Sequence, residues 1–457
     1  MVALPSPNAV SRLGSRRSNG IVRTQLSYHR HPRYSPVVTS LPLHELHLAL
    51  GGNFTTVHDT EVVADYGDIP AERTALRDTV GVLDLSCRSR LCLVGADRVK
   101  FLHGQVTNDV QRLRVGEGCY AALVNAKGKM HSDLNIYRLG DELLLDFEPG
   151  YTTAVAQRLE KYIITDDVQV LDAAPHYGLL SVLGPRAAEA IAQLVLPWEL
   201  PAGPLAFSAH QDATLGQLYL MRRSAGGLQS PSRSSSLSPT GGEGRGEGAT
   251  AANAQPTPPH PNPLPRWERG NEARADAATS IPPASQPVGT APGFDLFIPT
   301  ASLGAVFDKL VAAAKSLGGR ACGWHALETA RIEAGIPRFG QDMDETNLPP
   351  EAGIESRAIS YSKGCYIGQE VIARIRTYGQ VAKTLRPLRL PADLTPLPAK
   401  GDKLLAGDKE VGHLTSAIPG HALGYVRKEH NAPGTQLTLR TAAGDCAATV
   451  VELVSAA

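Results

Sequence analysis

Any fold of this chain has to accommodate residues 224–292, a stretch of which more than two fifths is glycine, proline or serine. A segment of this composition buries too little apolar surface to offset the entropy of ordering it, so we predict that it is a disordered insertion. Strand-like runs flank it, Leu218–Met221 before it and Phe294–Ile298 after it. Because the entropy of closing a loop grows only logarithmically with its length, we predict that these two runs pair and that the insertion expands their hairpin loop.

The overall composition limits the classes of partner. The chain has 45 Lys plus Arg and 45 Asp plus Glu, so no overall field attracts it to nucleic acid or to an anionic membrane. Its six cysteines form no CxxC pair, which is typical of a protein kept reduced, without a disulfide framework or a metal site. No apolar run approaches the ~18 residues that a transmembrane helix needs. We therefore predict a cytoplasmic monomer without nucleic-acid, membrane or metal partners.

The first 44 residues have a different composition from the rest of the chain. Residues 1–44 contain no acidic residue, several arginines and many serines and prolines. This composition fits either a disordered leader or an organelle transit peptide, and in the second case the protein would act in an organellar matrix. No amphipathic period is evident there, so we predict disorder.

From Glu45 the chain combines short strands with amphipathic helices. We predict a first part over residues 45–223 and a second part, after the insertion, over residues 293–384. From Leu385 short apolar runs are separated by Gly and Pro, which is the spacing of a small β-barrel over residues 385–457. The clearest predicted strands are Arg90–Val94, Tyr120–Val124, His131–Tyr137, Glu142–Phe147 and Tyr177–Leu183, and the clearest predicted helices are 96–105, 151–163, 302–317 and 324–334.

One cysteine has an unusual setting. Cys365 lies between two glycines, two residues after Lys363, and just before a run whose apolar residues recur at helical spacing. The positive end of a helix and a neighbouring lysine both attract an anionic sulfur, so Cys365 is our candidate catalytic thiol. The alternative is a structural cysteine, because free cysteine is among the most buried residue types.

A candidate binding group lies on the predicted strand 131–137. Side-chain alternation places Asp133 on the same face as Asn135 and Tyr137, and Tyr120 lies on the preceding strand. A carboxylate beside aromatic rings can bind the polar edge of a flat heterocycle while the rings stack on it. The alternative is an ordinary strand aspartate at a sheet edge.

The string K-G-C-Y-I-G-Q-E at residues 363–370, with Arg374 four residues after its glutamate, resembles the signature of the YgfZ-type tetrahydrofolate-binding proteins. These are relatives of the glycine cleavage system T-protein, an aminomethyltransferase, which usually carries a shorter loop without the cysteine. The resemblance covers about residues 45–223 and 293–457. It implies an α+β fold, in which ferredoxin-like α/β subdomains and a C-terminal β-barrel surround a central folate pocket.

The resemblance also implies roles for single residues. Tyr120, Asp133 and Tyr137 keep the spacing around the family aspartate that lies near the folate nitrogen where the one-carbon unit is exchanged. Ser132 replaces the first acid of the family's Asp-Asp-Leu segment. In the signature loop, the residues expected to bind the cofactor are Lys363, Gly364, Gln369 and Arg374.

A second element, R-I-E-A-G at residues 331–335, resembles a family segment whose glutamate hydrogen-bonds the pterin ring. A carboxylate suits that task because it can accept two adjacent ring N–H groups. The alternative for Glu333 is a helix-end glutamate paired with Arg331 or Arg338. The segment at residues 342–349 also matches the family, and its acidic cluster is by itself more typical of a solvated turn than of a metal site.

From these observations we predict a tetrahydrofolate pocket between Tyr120, Asp133, Tyr137 and Glu333, with Cys365 at its mouth. The predicted function is support of the assembly or repair of iron–sulfur enzymes, with those enzymes or cluster-assembly proteins as partners. One alternative is a folate-dependent aminomethyltransferase. Another is a folate-binding scaffold without turnover, in which Cys365 is structural.

Overall fold

The computed structural model describes residues 39–223, 293–379 and 381–452. The predicted insertion and almost all of the predicted leader lie outside the described residues. Within the described ranges, no helix is long and apolar enough to cross a lipid bilayer.

The secondary structure mixes helices and strands along the whole chain. The helices are α1 His44–Ala49, α2 Ile69–Asp78, α3 Arg98–Gln105, α4 Thr152–Glu160, α5 Ala187–Ala192, α6 Leu303–Ser316, α7 Trp324–Glu333, α8 Glu355–Ala358 and α9 Gln369–Tyr378. The strands up to residue 222 are β1 Asn53–Val57, β2 Thr60–Asp65, β3 Gly81–Asp84, β4 Ser89–Val94, β5 Gly118–Val124, β6 Met130–Arg138, β7 Leu143–Phe147, β8 Gln169–Asp172, β9 Tyr177–Leu183, β10 Phe207–Asp212 and β11 Gly216–Arg222. The later strands are β12 Gly293–Pro299, β13 Arg320–Ala321, β14 Lys383–Arg389, β15 Lys403–Ala406, β16 Lys409–Ile418, β17 His421–Arg427, β18 Gln436–Thr441 and β19 Gly444–Val450.

The first sheet has five antiparallel strands in the order β5-β6-β7-β4-β8. One of its faces packs on α3 and α4 through a closed apolar core that includes Leu134 and Ile136. Since side chains alternate between the faces of a strand, Asp133 and Asn135 point to the opposite face. This second face carries the polar residues described below.

The second sheet has six strands in the order β10-β11-β12-β9-β3-β13. Its strands β11 and β12 pair antiparallel, with Tyr219 opposite Phe297. The predicted pairing of the runs that flank the insertion is therefore confirmed. A second apolar core joins this sheet to α5 and α6.

The C-terminal part is a closed six-stranded barrel in the order β14-β17-β16-β15-β18-β19, closed by pairing of β14 with β19. Its interior is apolar and includes Leu388, Leu414 and Val450. The predicted barrel is thus confirmed, and its first strand begins at Lys383, two residues before the predicted boundary. A separate apolar contact between Ile332 of α7 and Leu423 and Tyr425 of β17 attaches the barrel to the rest of the protein.

Candidate functional site

A cleft of about 1280 Å³, including its open mouth, lies between the polar faces of the two sheets. The helix α7, the loop that follows it and the short helix α8 complete its walls. Its charged lining residues are Arg88, Asp133, Asp146, Glu148, Arg223, Asp295, Glu328, Arg331, Arg338 and Arg357. A concave site with this many convergent polar groups is a candidate for ligand binding.

The strand pairing of the first sheet places the polar residues of the cleft floor next to one another. Ala122 of β5 is paired with Asp133 of β6, so Tyr120 lies diagonally beside Asp133 on the same face. The Tyr120 hydroxyl donates a hydrogen bond of 2.8 Å to Oδ2 of Asp133. On the other side of β6, the Asn135 amide donates to Oδ2 of Asp146 at 3.1 Å. The floor is therefore a row of polar groups fixed by strand pairing.

The surroundings of Asp133 on this floor raise the pKa of its carboxyl group. Burial, and then the nearby charge of Glu148, raise the pKa of Asp133 from its ordinary value of 3.8 to about 6. Its Oδ1 atom is inaccessible to solvent and accepts no hydrogen bond from another described residue. A carboxylate with this pKa can gain and lose a proton near neutral pH, which is the requirement for general acid–base work.

Arginine–carboxylate pairs surround the floor. Arg88 donates to Asp146 at 2.8 and 3.1 Å and to Glu148 at 3.1 Å. Arg338 lies 3.4 Å from Glu148 and 3.0 Å from Glu328. Because each of these carboxylates is held by an arginine, the polar walls of the cleft are held in place by charge-assisted hydrogen bonds.

A buried network connects the cleft wall to the barrel. Arg331 of α7 donates to Oδ2 of Asp342 at 2.6 Å, and Asp342 accepts further hydrogen bonds of 2.6 Å from the hydroxyls of Thr415 and Ser416 on β16. Arg331 also donates to Glu328 in the cleft. Asp342, which was expected in a solvated turn, is only 2% exposed. Its oxygens hold the barrel against the cleft wall.

The structure places Glu333 outside the lining of the cleft, in contrast to the predicted pterin contact. Its carboxylate accepts a hydrogen bond from Arg73 of α2, and neither Arg331 nor Arg338 is its partner. Residues two apart on an α-helix point about 200° apart, so Glu333 faces away from the side on which Arg331 lies. The acid that α7 contributes to the cleft is Glu328.

Tyr137 also differs from its predicted position. It lies on the expected face of β6 but is fully buried, with its ring against Phe207 and Phe297 between the two sheets. Burial raises the pKa of its hydroxyl well above the ordinary range. Tyr137 therefore supports the sheet beneath the cleft, and only Tyr120 of the two predicted tyrosines lines it.

The signature loop contacts the end of α3 and does not line the cleft. Lys363 is buried, and its ammonium donates to the backbone oxygens of His103, Val106 at 2.7 Å and Asn108 at 3.1 Å. Burial lowers the pKa of Lys363 to about 8. The lysine predicted to bind cofactor thus caps the carbonyls at the end of this helix.

Most of the other residues of this loop lie at or near the surface, whereas Tyr366 is buried. Cys365 is exposed, and the predicted helix after it is confirmed as α9, whose first residue is Gln369 and whose N-cap is Gly368 with a φ of 83°. Arg374 pairs with Glu370 on the exposed side of α9. Gly364, Cys365, Gln369 and Arg374 are absent from the cleft lining. Within the described ranges, no cluster of three His, Cys, Asp or Glu could hold a metal ion.

Several cleft residues were not predicted from the sequence. Arg88, Glu148, Arg338 and Arg357 come from loops or element ends, where no periodic pattern marks their direction. Glu328 could have been predicted from the sequence as a neighbour of Arg331, because it precedes Arg331 by three residues and so lies on the same helix face.

Comparison with known proteins agrees with this architecture. The GCVT N-terminal domain model matches residues 43–224 and 290–363, and the glycine cleavage T-protein C-terminal barrel domain model matches residues 383–455. An aminomethyltransferase of Corynebacterium jeikeium is 25% identical over 84% of this chain and 86% of its own length. One of Saccharopolyspora erythraea is 25% identical over 87% of this chain and 92% of its own length.

The crystal structure of the glycine cleavage system aminomethyltransferase T from Bartonella henselae has the same fold. It superimposes with a TM-score of 0.69 at 19% identity, covering 91% of this chain and 97% of that chain. The two family models together match more than half of the chain. The chain therefore belongs to the glycine cleavage T-protein family, which binds tetrahydrofolate as substrate or cofactor.

Proposed function

We propose that this protein binds tetrahydrofolate in the cleft and uses it in a one-carbon transfer of the aminomethyltransferase type. The observation that carries the proposal is Asp133, a carboxylate with a pKa of about 6 on the floor of a large polar cleft. The relatives named aminomethyltransferase, which align with this chain over most of their length, support the same activity.

The residues of the cleft fit such a ligand. The Oδ1 atom of Asp133, which accepts no hydrogen bond from another described residue, can accept an N–H of a reduced pterin ring. The ring of Tyr120 and the apolar side chains of Trp324 and Leu327 line the same space, and such surfaces suit a flat heterocycle. These are the residues that we expect to hold the ligand.

Tetrahydrofolate would supply the two nitrogens that accept the one-carbon unit, one in the reduced pterin ring and one in the amine outside it. Asp133 supplies the proton acceptor, since with a pKa near 6 it is mostly ionised at neutral pH and can still take up a proton at Oδ1. The Tyr120 hydroxyl orients the carboxylate through Oδ2. Arg88 holds Glu148 and Asp146 in place, so the negative charge that raises the Asp133 pKa stays beside it.

The test is tetrahydrofolate-dependent release of ammonia from an aminomethyl-lipoyl carrier by wild type and Asp133→Asn. The amide keeps the size of the side chain and removes the base, so we expect a loss of ~10²–10⁴-fold in rate. Binding of tetrahydrofolate, measured by calorimetry, should weaken by no more than the ~1–3 kcal/mol of one lost hydrogen bond. Equal turnover by both proteins would overturn the role of Asp133, and absence of tetrahydrofolate binding to wild type would overturn the function.

A second candidate function is the one that the signature loop favours, support of iron–sulfur enzymes by a YgfZ-type tetrahydrofolate-binding protein. The specific observation is the exposed thiol of Cys365, where a partner protein can reach it. Complementation of a strain that lacks its YgfZ-type protein tests this function. Wild type should restore the activity of iron–sulfur enzymes and Cys365→Ser should not, whereas full rescue by the serine variant would make the thiol structural.

A further inference from the structure

Five arginines line the cleft, and carboxylates compensate four of them. The pairs are Arg88 with Asp146 and Glu148, Arg223 with Asp295, Arg331 with Glu328 and Asp342, and Arg338 with Glu148 and Glu328. The side chain of Arg357 has neither an ion pair nor a hydrogen bond with any residue in the described part of the chain, and its Nε is inaccessible to solvent. Among the described residues that line the cleft, Arg357 is therefore the one cation without a counter-charge.

Arg357 lies beside an aromatic residue of the cleft floor. Its guanidinium lies 4.9 Å from the ring centroid of Tyr120, the residue whose hydroxyl binds Asp133. A guanidinium stacked on an aromatic ring uses its face for that contact and keeps the N–H groups along its edge available. That edge is the geometry that binds a carboxylate through two parallel hydrogen bonds.

The backbone around this pair is fixed before any ligand arrives. One side-chain amide, that of Asn108, donates both to the Tyr120 carbonyl at 2.8 Å and to the Arg357 carbonyl at 2.9 Å. The Thr107 hydroxyl donates to the carbonyl of Ala358 at 2.6 Å. These bonds tie α8 to β5, so the backbone positions from which Arg357 and Tyr120 extend are set relative to each other.

We propose that Arg357 is a specificity residue that selects reduced-pterin ligands that also carry a carboxylate, which in tetrahydrofolate lies at the glutamyl end, beyond the p-aminobenzoyl group. A ligand carboxylate supplies the missing counter-charge, and a pterin without one leaves Arg357 unpaired in a closed complex. The naming of the glutamyl end rests on the proposed function. The need of Arg357 for an anion rests on its charge and position alone.

The test compares two probes, tetrahydrofolate and 6-methyltetrahydropterin, which lacks any carboxylate. Loss of a charge-assisted hydrogen bond in Arg357→Gln should weaken tetrahydrofolate binding at least ~10-fold and leave the affinity for methyltetrahydropterin within about twofold. Arg357→Lys, which keeps the charge without the planar fork, should recover part of the loss. Arg440→Gln, at an exposed ion pair with Asp445 on the barrel, is the matched control and should change neither affinity.

If Arg357→Gln weakens the binding of both probes equally, Arg357 acts by holding Tyr120. If it weakens the binding of neither probe, Arg357 does not contact the ligand. Both results overturn the proposal. If wild type binds neither probe, the proposed function fails, but the anion site at Arg357 can still be tested separately. That test measures the rate at which phenylglyoxal modifies Arg357. Glutarate should slow that modification more than chloride at equal ionic strength, and equal rates would overturn the anion site.

Discussion

Replacing Asp133 by asparagine should make this protein more stable at neutral pH while it strongly lowers turnover. The pKa of Asp133 is raised from 3.8 to about 6 by burial and by Glu148, so the folded state holds a proton more tightly than the unfolded state does. The proton's stabilising contribution is complete below the unfolded pKa and is lost as the pH rises through 6. Ionised Asp133 therefore costs the fold about 3 kcal/mol at pH 7.5.

Asp133→Asn removes this cost, because the amide is neutral at every pH and its oxygen can still accept from Tyr120. We expect a gain of about 1–3 kcal/mol in the free energy of unfolding at pH 7.5, shrinking towards zero near pH 4. Urea unfolding followed by tryptophan fluorescence at several pH values measures it. The control is Asp212→Asn, since backbone N–H groups of Leu215 and Thr214 hold the pKa of Asp212 below its ordinary value. That variant should gain no stability.

Two results would refute this reasoning. If Asp133→Asn is less stable than wild type at pH 7.5, burial does not penalise the carboxylate as the site geometry implies. If the difference between the two proteins is the same at pH 4 and pH 7.5, it arises from packing and not from ionisation. A gain in stability together with a loss of turnover would be the usual trade-off between stability and activity, because here activity requires a buried charge that destabilises the fold.

Three further predictions follow from the same structure. Glu148→Gln removes a charge that raises the Asp133 pKa, so the midpoint of the pH–rate profile should move to lower pH, and an unmoved midpoint would contradict this. Limited alkylation near neutral pH should modify Cys365 first, because it is the exposed cysteine of the six; peptide mapping checks this, and faster labelling of another thiol would disprove it. Asp342→Ala removes the carboxylate that Arg331 and the barrel hydroxyls share. It should lower the free energy of unfolding in urea by about 3 kcal/mol. A decrease below about 1 kcal/mol would show that other contacts attach the barrel.

Much of the secondary structure was predictable because its periodic patterns are local. The strands β4, β5, β6 and β7 of the first sheet, the helices α3, α4, α6 and α7, and the barrel lie close to their predicted positions, whereas β8 was not predicted. The hairpin of β1 and β2 was not predicted. All five residues of β1 are partly buried or exposed and three are Asn or Thr, so the strand carries only a weak apolar alternation, and its pairing with β2 decides its conformation.

Within the site, the sequence by itself determined what depends on neighbours along one strand or across one turn. The alternation of β6 and its pairing with β5 place Tyr120 beside Asp133, and both were predicted. It also determined that a helix follows Cys365. These predictions succeeded because strand and helix geometry fix the relative direction of nearby side chains.

Only the tertiary structure decided which side of each element faces the cleft. The sequence of α7 offers both Glu328 and Glu333 as candidate acids, and packing of the helix against α2 and the barrel turns Glu333 towards Arg73. The same holds for Arg357, whose neighbour Tyr120 lies more than two hundred residues away along the chain. Which charges pair, and which one stays unpaired, is a property of distances between remote segments, and no local pattern of residues encodes those distances.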